Sequence, residues 1–117
     1  MKTVCFDFDG VIHSYTSGWK GATEIPDPPV PGIKESMQAF CNSKYRVVIS
    51  SSRASTPEGI DAIKNYLSKY GMLEFVSDIT NGKPPAMAYI DDRAICFDGH
   101  PETLLNKVQA LKPWNKV

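Results

Sequence analysis

The sequence has no long hydrophobic run and no excess of charge of either sign. In 117 residues, 13 Lys and Arg stand against 13 Asp and Glu, so the formal net charge is zero. A membrane helix needs about 20 consecutive apolar residues, and the apolar runs here are only a few residues long. These features argue against a membrane protein. The balanced charge also gives no whole-chain attraction to nucleic acid, although it leaves room for a local basic groove.

Cysteine and histidine are also scarce. The three cysteines, Cys5, Cys41 and Cys96, are far apart, form no Cys-x-x-Cys pair and have no nearby histidine cluster. This pattern argues against a disulfide framework and against a zinc site. We interpret all three as structural thiols and expect a reducing compartment, the cytoplasm. Acidic Asp7 precedes any apolar stretch of signal-peptide length, which also disfavours secretion.

The length and the hydrophobic pattern predict the fold. A chain of this size predicts one domain, residues 1–117, around a single core. Short apolar runs alternate with helical patterns, which predicts an α/β fold: a single Rossmann-like parallel sheet with helices on both faces and no cap domain. The predicted strands cover residues 3–6, 45–49, 73–77, 87–90 and 94–97, and the predicted helices cover 33–40, 56–70 and 100–111.

One long segment fits neither a helix nor a strand. Residues 13–32 are rich in Ser, Thr and Gly and contain Pro26, Pro28, Pro29 and Pro31. Proline is excluded from helix interiors and from central strands. We therefore expect an irregular loop or flap, and long loops within compact domains are usually functional or disordered.

Polar side chains follow the predicted strands at the points where the strands end. They are Asp7 and Asp9 after the first strand, Ser51 after the second, and Asp91 and Asp92 after the fourth, with Lys83 shortly before it. In an open parallel sheet, ligands bind outside the carboxyl ends of the strands. We therefore expect these groups to face one crevice, which is the main functional signal in the sequence.

The clustered carboxylates indicate a metal and a phosphate ester. Carboxylates that lie together repel one another unless a cation lies between them. With oxygen ligands and no nearby His or Cys, the expected cation is Mg²⁺, which binds one or two carboxylates together with waters and a substrate phosphate. One carboxylate of Asp7 and Asp9 can attack phosphorus while the other handles a proton, and Ser51 and Lys83 can bind the phosphoryl oxygens.

In this order, the motifs resemble those of the haloacid dehalogenase-like (HAD) phosphatase superfamily. The match comprises Asp7-Phe8-Asp9-Gly10-Val11, Ser51, Lys83 and Tyr89-Ile90-Asp91-Asp92, and it extends over most of the chain. The resemblance implies a Mg²⁺-dependent phosphatase that hydrolyses a phosphate monoester through an aspartyl-phosphate intermediate on Asp7. It also implies that Asp9 is the general acid/base and that Ser51 and Lys83 bind the phosphate.

The resemblance further implies how the metal is held. Mg²⁺ would be bound by the Asp7 carboxylate, the Asp9 carbonyl and the Asp91 carboxylate. Asp92 would join them directly or through water. Ser50 and Ser52 remain alternatives to Ser51, which we prefer because it lies two residues before Arg53. The family inserts cap domains after the first motif or between the second and third motifs. Here the first gap is the short loop 13–32, and the second, residues 53–81, holds a predicted helix and strand. The chain therefore looks like a minimal capless member. Such members often act on large substrates or beneath a partner chain.

Three further residues are candidates for substrate contact. His13 and Trp19 lie in the loop after the first motif, and Trp19 offers a stacking face for a base or a sugar. The alternative is that Trp19 anchors the loop onto the body of the domain. Arg53 either reaches the phosphate or pairs locally.

Other functions stay open at this stage. A phosphatase acting on nucleic-acid or nucleotide ends would use the same chemistry, although the net charge gives it no support. A phosphate- or metabolite-binding module of the same fold would bind without turnover. Phosphatase and phosphotransferase share the aspartyl intermediate and are not separable here, and the sequence fixes neither the phosphorylated substrate nor whether the chain forms a homo-oligomer.

Overall fold

A computed structural model describes residues 1–115 and contains one parallel sheet. Its strands are β1 (Lys2–Asp7), β2 (Tyr45–Ser50), β3 (Asp78–Thr80) and β4 (Ala88–Ile90), in the spatial order β3-β2-β1-β4. The predicted α/β class and Rossmann-like parallel sheet are therefore confirmed. The order places the first strand between the second and the fourth, so the groups that follow these three strands are neighbours.

The register of the sheet brings the strand ends level. Asp7 pairs with Ser50 across β1 and β2, and Phe6 pairs with Ile90 across β1 and β4. Because all pairs are parallel, the chain leaves each strand at the same edge of the sheet. Asp7, Ser51 and Asp91 therefore start from adjacent positions on that edge.

Three helices accompany the sheet: α1 (Ile33–Asn42), α2 (Pro57–Lys69) and α3 (Leu104–Ala110). The start of α2 follows from its sequence, because the Thr56 side chain accepts a hydrogen bond from the Gly59 N–H at 3.1 Å and Pro57 occupies the first turn. Short 3₁₀ turns cover Ser52–Ser55, Leu73–Phe75 and Pro101–Thr103. No helix among residues 1–115 is long and apolar enough to span a membrane.

The core lies between one face of the sheet and the two longer helices. Alternate strand residues such as Phe6 join this core, and the Phe6 ring packs edge-on against Phe40 of α1 at 5.6 Å between centroids. Phe8 packs in the same way against Tyr66 of α2 at 5.4 Å. In contrast, α3 has no buried residue. The packing against this face of the sheet is therefore made by α1 and α2.

Two predicted strands differ from the structure. The predicted strand at 73–77 is largely a 3₁₀ turn, and β3 begins only at Asp78. Residues 94–97, predicted as a fifth strand, form no strand, and Cys96 and Phe97 are exposed. The four-residue apolar run has the composition of a strand, but composition does not supply a pairing partner. The exposure of Cys96 also contradicts its interpretation as a structural thiol in a buried strand; of the three cysteines, only Cys5 is fully buried.

The proline-rich loop, residues 13–32, is irregular as predicted, and it is tied to the domain at several points. Ser14 donates its N–H to the Pro28 carbonyl at 3.0 Å, and Val30 donates to the Ile12 carbonyl at 2.9 Å. The Tyr66 hydroxyl of α2 donates to the Asp27 carbonyl at 2.9 Å. This segment is therefore packed against the domain beside the carboxyl ends of the strands.

Candidate active site

Three aspartates meet at the carboxyl ends of β1 and β4. One carboxylate oxygen from each of Asp7, Asp91 and Asp92 lies within 4.8 Å of the other two. Asp7 is the last residue of β1, and Asp91 and Asp92 follow β4 directly, so the convergence results from the pairing of two adjacent parallel strands. The structure thus brings Asp7 together with the distant Asp91 and Asp92 at one edge of the sheet, whereas the groups of the predicted crevice line two neighbouring cavities.

The electrostatics of this cluster favour a cation. Burial, and after it the neighbouring charge of Asp91, raises the pKa of Asp7 from 3.8 to about 7. The Asp92 carboxylate acts in the same direction, whereas a hydrogen bond from the Phe8 N–H opposes the shift. A divalent cation among three such oxygens would remove the repulsion, and an all-oxygen ligand set suits Mg²⁺.

The raised pKa of Asp7 predicts a pH-dependent stability of the metal-free protein. Because the folded state holds a proton on Asp7 up to about pH 7 and the unfolded chain releases it near 3.8, the free energy of unfolding falls as the pH rises between these values. Relative to Asp7→Asn, we expect the wild type to lose about 2–4 kcal/mol between pH 4 and pH 8, measured by urea unfolding in EDTA. Parallel pH profiles of the two proteins would contradict this.

Gly10 makes room for the cluster. It has a φ of +87°, a conformation that favours glycine, and a Cβ added there would collide with the Asp92 carboxylate. The Trp114 indole N–H donates to the Gly10 carbonyl. The turn after β1 therefore depends on a residue without a side chain at position 10, and the hydrogen bond from Trp114 holds its backbone.

Asp9 has a different environment from Asp7. Its two carboxylate oxygens accept hydrogen bonds from Arg53 Nε at 3.1 and 2.9 Å, and one of them also accepts from His13 Nδ1 at 2.8 Å. His13 Nε2 accepts the backbone N–H of Asp27 at 3.1 Å, so the proton of the neutral ring lies on Nδ1 and is donated to Asp9. Burial acts to raise the pKa of Asp9, but the His13 and Arg53 hydrogen bonds outweigh it and lower the pKa.

These contacts bear on the predicted metal ligands and substrate contacts. The Asp9 carboxylate does not belong to the cluster of Asp7, Asp91 and Asp92 in the described part of the chain. His13 is completely buried between Asp9 and Asp27, so it positions Asp9 and does not reach a substrate. The sequence places His13 next to the site but does not reveal that its side chain turns inward.

Arg53 also turns away from the crevice. Its side chain is 0% exposed and binds Asp9 through Nε, while Nη1 donates to the carbonyls of Gly21, Ala22 and Glu24 at 2.7–3.1 Å. Arg53 therefore pairs locally, which is the second of the two alternatives that the sequence leaves open. It joins the end of the second motif to the proline-rich loop.

The three serines after β2 are distinguished by their hydrogen bonds. Ser50 Oγ already donates its proton to the Gly82 carbonyl at 3.1 Å. Ser51 Oγ accepts the Arg53 N–H at 3.2 Å, which leaves its own proton free to donate to another group. Ser51 also lines the same cavity as Asp7, as does the exposed Ser52. The hydrogen bonds thus favour Ser51 over Ser50 as a phosphate donor.

Lys83 lies on the other side of Asp7. It shares a small cavity of about 50 Å³ with Cys5, Asp7, Ser50 and Asp91. Its ammonium group lies over the Tyr89 ring, 5.1 Å from the centroid. Ser51 and Lys83 therefore approach Asp7 from two neighbouring cavities, and a phosphoryl group on Asp7 would be bounded by both.

The larger of these cavities, about 210 Å³, is lined by Asp7, Asp9, Tyr15, Trp19, Ser51, Ser52, Asp92 and Arg93. Trp19 is therefore at the site, and it also anchors the loop by stacking on Arg53, so the two interpretations of this residue are compatible. Tyr15 belongs to the predicted flap, residues 13–32, whereas Arg93 is not among the predicted site residues. The signal for Arg93 in the sequence is position alone, since it directly follows the Asp91-Asp92 motif.

No family model matches the sequence, and no curated protein matches it significantly. One solved structure, described as a conserved protein coded by a locus of Bacteroides thetaiotaomicron, aligns with a TM-score of 0.58 and 20% sequence identity. The alignment covers 91% of this chain and 90% of that one. At this identity the likeness supports the fold and extends over almost its whole length.

Proposed function

We propose that the protein is a Mg²⁺-dependent phosphatase that hydrolyses phosphate monoesters through an aspartyl phosphate on Asp7. The observation that carries the proposal is the meeting of Asp7, Asp91 and Asp92 within 4.8 Å at the carboxyl edge of the sheet. A cation would remove the repulsion among three carboxylates in that space, and Mg²⁺ bound to few protein ligands needs a phosphate or water to complete its coordination. Bound Mg²⁺ would neutralise the phosphoryl oxygens and hold them against the sheet edge.

In the first step, an oxygen of Asp7 attacks phosphorus and the bond from phosphorus to the ester oxygen breaks. The Ser51 hydroxyl donates to one phosphoryl oxygen and the Lys83 ammonium group balances the negative charge. The ester oxygen leaves with the electron pair of the broken bond and takes a proton from solvent water to give the alcohol. In the second step, water attacks phosphorus, the acyl phosphate bond breaks, and Asp7 and inorganic phosphate are regenerated.

The protonation state of Asp9 suits the hydrolysis of the acyl phosphate better than the departure of the ester oxygen. The hydrogen bonds from His13 and Arg53 lower its pKa despite its burial, so near neutral pH it is a carboxylate. A carboxylate can accept a proton from the attacking water, but it cannot protonate a leaving alkoxide. We therefore assign Asp9 as the general base of hydrolysis. Aryl esters, whose leaving oxygen needs little protonation, are the appropriate first substrates.

The test is the metal dependence of turnover. We expect phosphate release from phenyl phosphate in Mg²⁺, loss of that release in excess EDTA, and its recovery when Mg²⁺ is restored. Ca²⁺ should replace Mg²⁺ poorly because it prefers more ligands at longer distances. Mg²⁺ should also raise the melting temperature of the wild type and not that of Asp91→Asn, whereas Asp61→Asn on α2 serves as an exposed control. Equal turnover with and without EDTA would contradict the proposal.

A binding module without turnover is the second candidate. It is favoured by the hydrogen bonds that Arg53 and His13 donate to Asp9, because donors that stabilise the ionised carboxylate make it a weaker base. Such a module would bind inorganic phosphate in Mg²⁺, detectable by calorimetry, and would release no phosphate from any ester in a broad panel.

A further inference from the structure

One wall of the cavity beside Asp7 is an aromatic ring fixed in place from behind. Trp19 lines the cavity together with Asp7 and is 52% exposed, so part of its ring is open to a ligand. The Arg53 guanidinium lies over the ring, with its central carbon 4.6 Å from the ring centroid. The Arg53 guanidinium covers part of the Trp19 ring, and the rest of the ring faces the cavity.

The ring is held more firmly than an exposed loop tryptophan usually is. Arg53 is completely buried, bound to Asp9 on one side and to the carbonyls of Gly21 and Ala22 on the other. These carbonyls belong to the backbone just after Trp19. Because the support is fixed, a ligand that stacks on this ring loses little additional conformational freedom of the protein.

Tyr15 adds a second aromatic side chain to the same cavity. Its φ is +62°, in the left-handed region that is costly for a large side chain. The turn is closed by the Gly18 N–H donating to the Tyr15 carbonyl at 3.1 Å, and the ring meets buried His13 at 5.8 Å between centroids. The loop thus holds an unfavourable backbone conformation that brings a second ring to the cavity.

The size of the cavity limits what can enter it. Its volume is about 210 Å³, below the roughly 300–1,000 Å³ of sites that enclose a drug-sized ligand. It has room for the phosphate and the adjoining part of an ester, and anything further projects into solvent. The part next to the phosphate therefore determines selectivity.

We propose that Trp19 selects phosphate monoesters whose leaving group carries a planar aromatic ring, which stacks on the indole. This inference rests on the proposed phosphatase function and adds the substrate class to it. Two sources of such a ring fit the same chemistry: an arylmethyl ester, in which one methylene separates the ring from the ester oxygen, and a nucleoside 5′-monophosphate, in which the sugar separates the base from it. An aromatic side chain can stack on any base, because every base has a planar π-face. Such a contact therefore selects a flat ring and not a particular base.

Matched substrate pairs test the stacking. Benzyl phosphate and cyclohexylmethyl phosphate have the same leaving atom and similar bulk, but only the first has an aromatic ring; uridine 5′-monophosphate and ribose 5-phosphate form the nucleotide pair. For Trp19→Ala, we expect kcat/KM to fall about tenfold for the aromatic member of at least one pair, since stacking contributes ~1–3 kcal/mol. The saturated member should change by less than about twofold, and Trp19→Phe should restore most of the loss. Which pair responds identifies the source of the ring.

The control separates this inference from the function on which it rests. Equal losses for aromatic and saturated esters would mean that Trp19 only anchors the loop, and would overturn the inference while phosphatase activity stands. Absence of turnover for all of these esters and for phenyl phosphate would contradict the function itself, and the assigned substrate class with it. In addition, benzylphosphonate and uridine 5′-monophosphate are titrated into Asp7→Asn while the indole Nε1–H signal of Trp19, assigned with Trp19→Phe, is followed by NMR. A ring-current shift with either supports stacking without chemistry, and no shift with both contradicts it.

Discussion

Replacing Asp7 by Asn is expected to reduce phosphate release by about 10⁴-fold or more, the scale of loss seen when a covalent nucleophile is removed. The amide keeps the shape of the carboxylate and cannot attack phosphorus. The substitution also removes the most strongly perturbed charge of the cluster with Asp91 and Asp92. Steady-state rates on phenyl phosphate in saturating Mg²⁺ measure the effect.

Two controls make the interpretation specific to a covalent nucleophile. After an acid quench during turnover of a ³²P-labelled ester, the wild type should carry a base-labile acyl phosphate and Asp7→Asn none. Asp61→Asn, an exposed carboxylate on α2, should retain full activity. In EDTA above pH 7, Asp7→Asn should also be more stable than the wild type, which excludes unfolding as the reason for inactivity. Turnover of Asp7→Asn close to that of the wild type would remove the nucleophile from the proposal.

The sheet and the aspartate cluster could be predicted because they depend on local signals with a fixed geometric consequence. An apolar run such as 45–49 is typical of a strand buried on both faces, and β2 occupies it. Once the strands are parallel, polar residues that follow them must share an edge. Asp7 and Asp91 therefore converge although 84 positions separate them in the sequence (91 − 7).

The contacts behind the site could not be predicted, because they depend on where side chains point after the chain leaves the sheet. Arg53 could equally face the phosphate or the loop, and nothing in its neighbours decides between the two. Its carbonyl partners Gly21 and Ala22 lie in a segment without periodic structure. The same limit explains the failed fifth strand at 94–97: an apolar run indicates the capacity to pair, whereas pairing also requires that the chain bring the run alongside an edge strand such as β4.

The network around Arg53 leads to the largest expected effect on stability. Arg53→Ala is expected to lower the free energy of unfolding by about 3–5 kcal/mol, because it removes the charged partner of the partly buried Asp9 carboxylate and leaves only the His13 hydrogen bond. It also deprives three loop carbonyls of their donor and leaves Trp19 without its stacked cation. Urea unfolding at pH 7 measures the loss. Arg46→Ala, an exposed arginine of β2, is the matched control and should change stability by less than about 0.5 kcal/mol.

The pH dependence and a double substitution identify the cause. Because the folded-state pKa of Asp9 is lowered, its ion pair stabilises the protein above the unfolded-state pKa and loses that contribution as the pH falls through the folded value. The penalty of Arg53→Ala should therefore be smaller near pH 3 than at pH 7. Adding Asp9→Asn to Arg53→Ala should recover part of the stability, since the amide leaves no uncompensated charge. A penalty that is independent of pH and additive with Asp9→Asn would mean that Arg53 acts through packing alone, and that Asp9 owes its ionised state to His13.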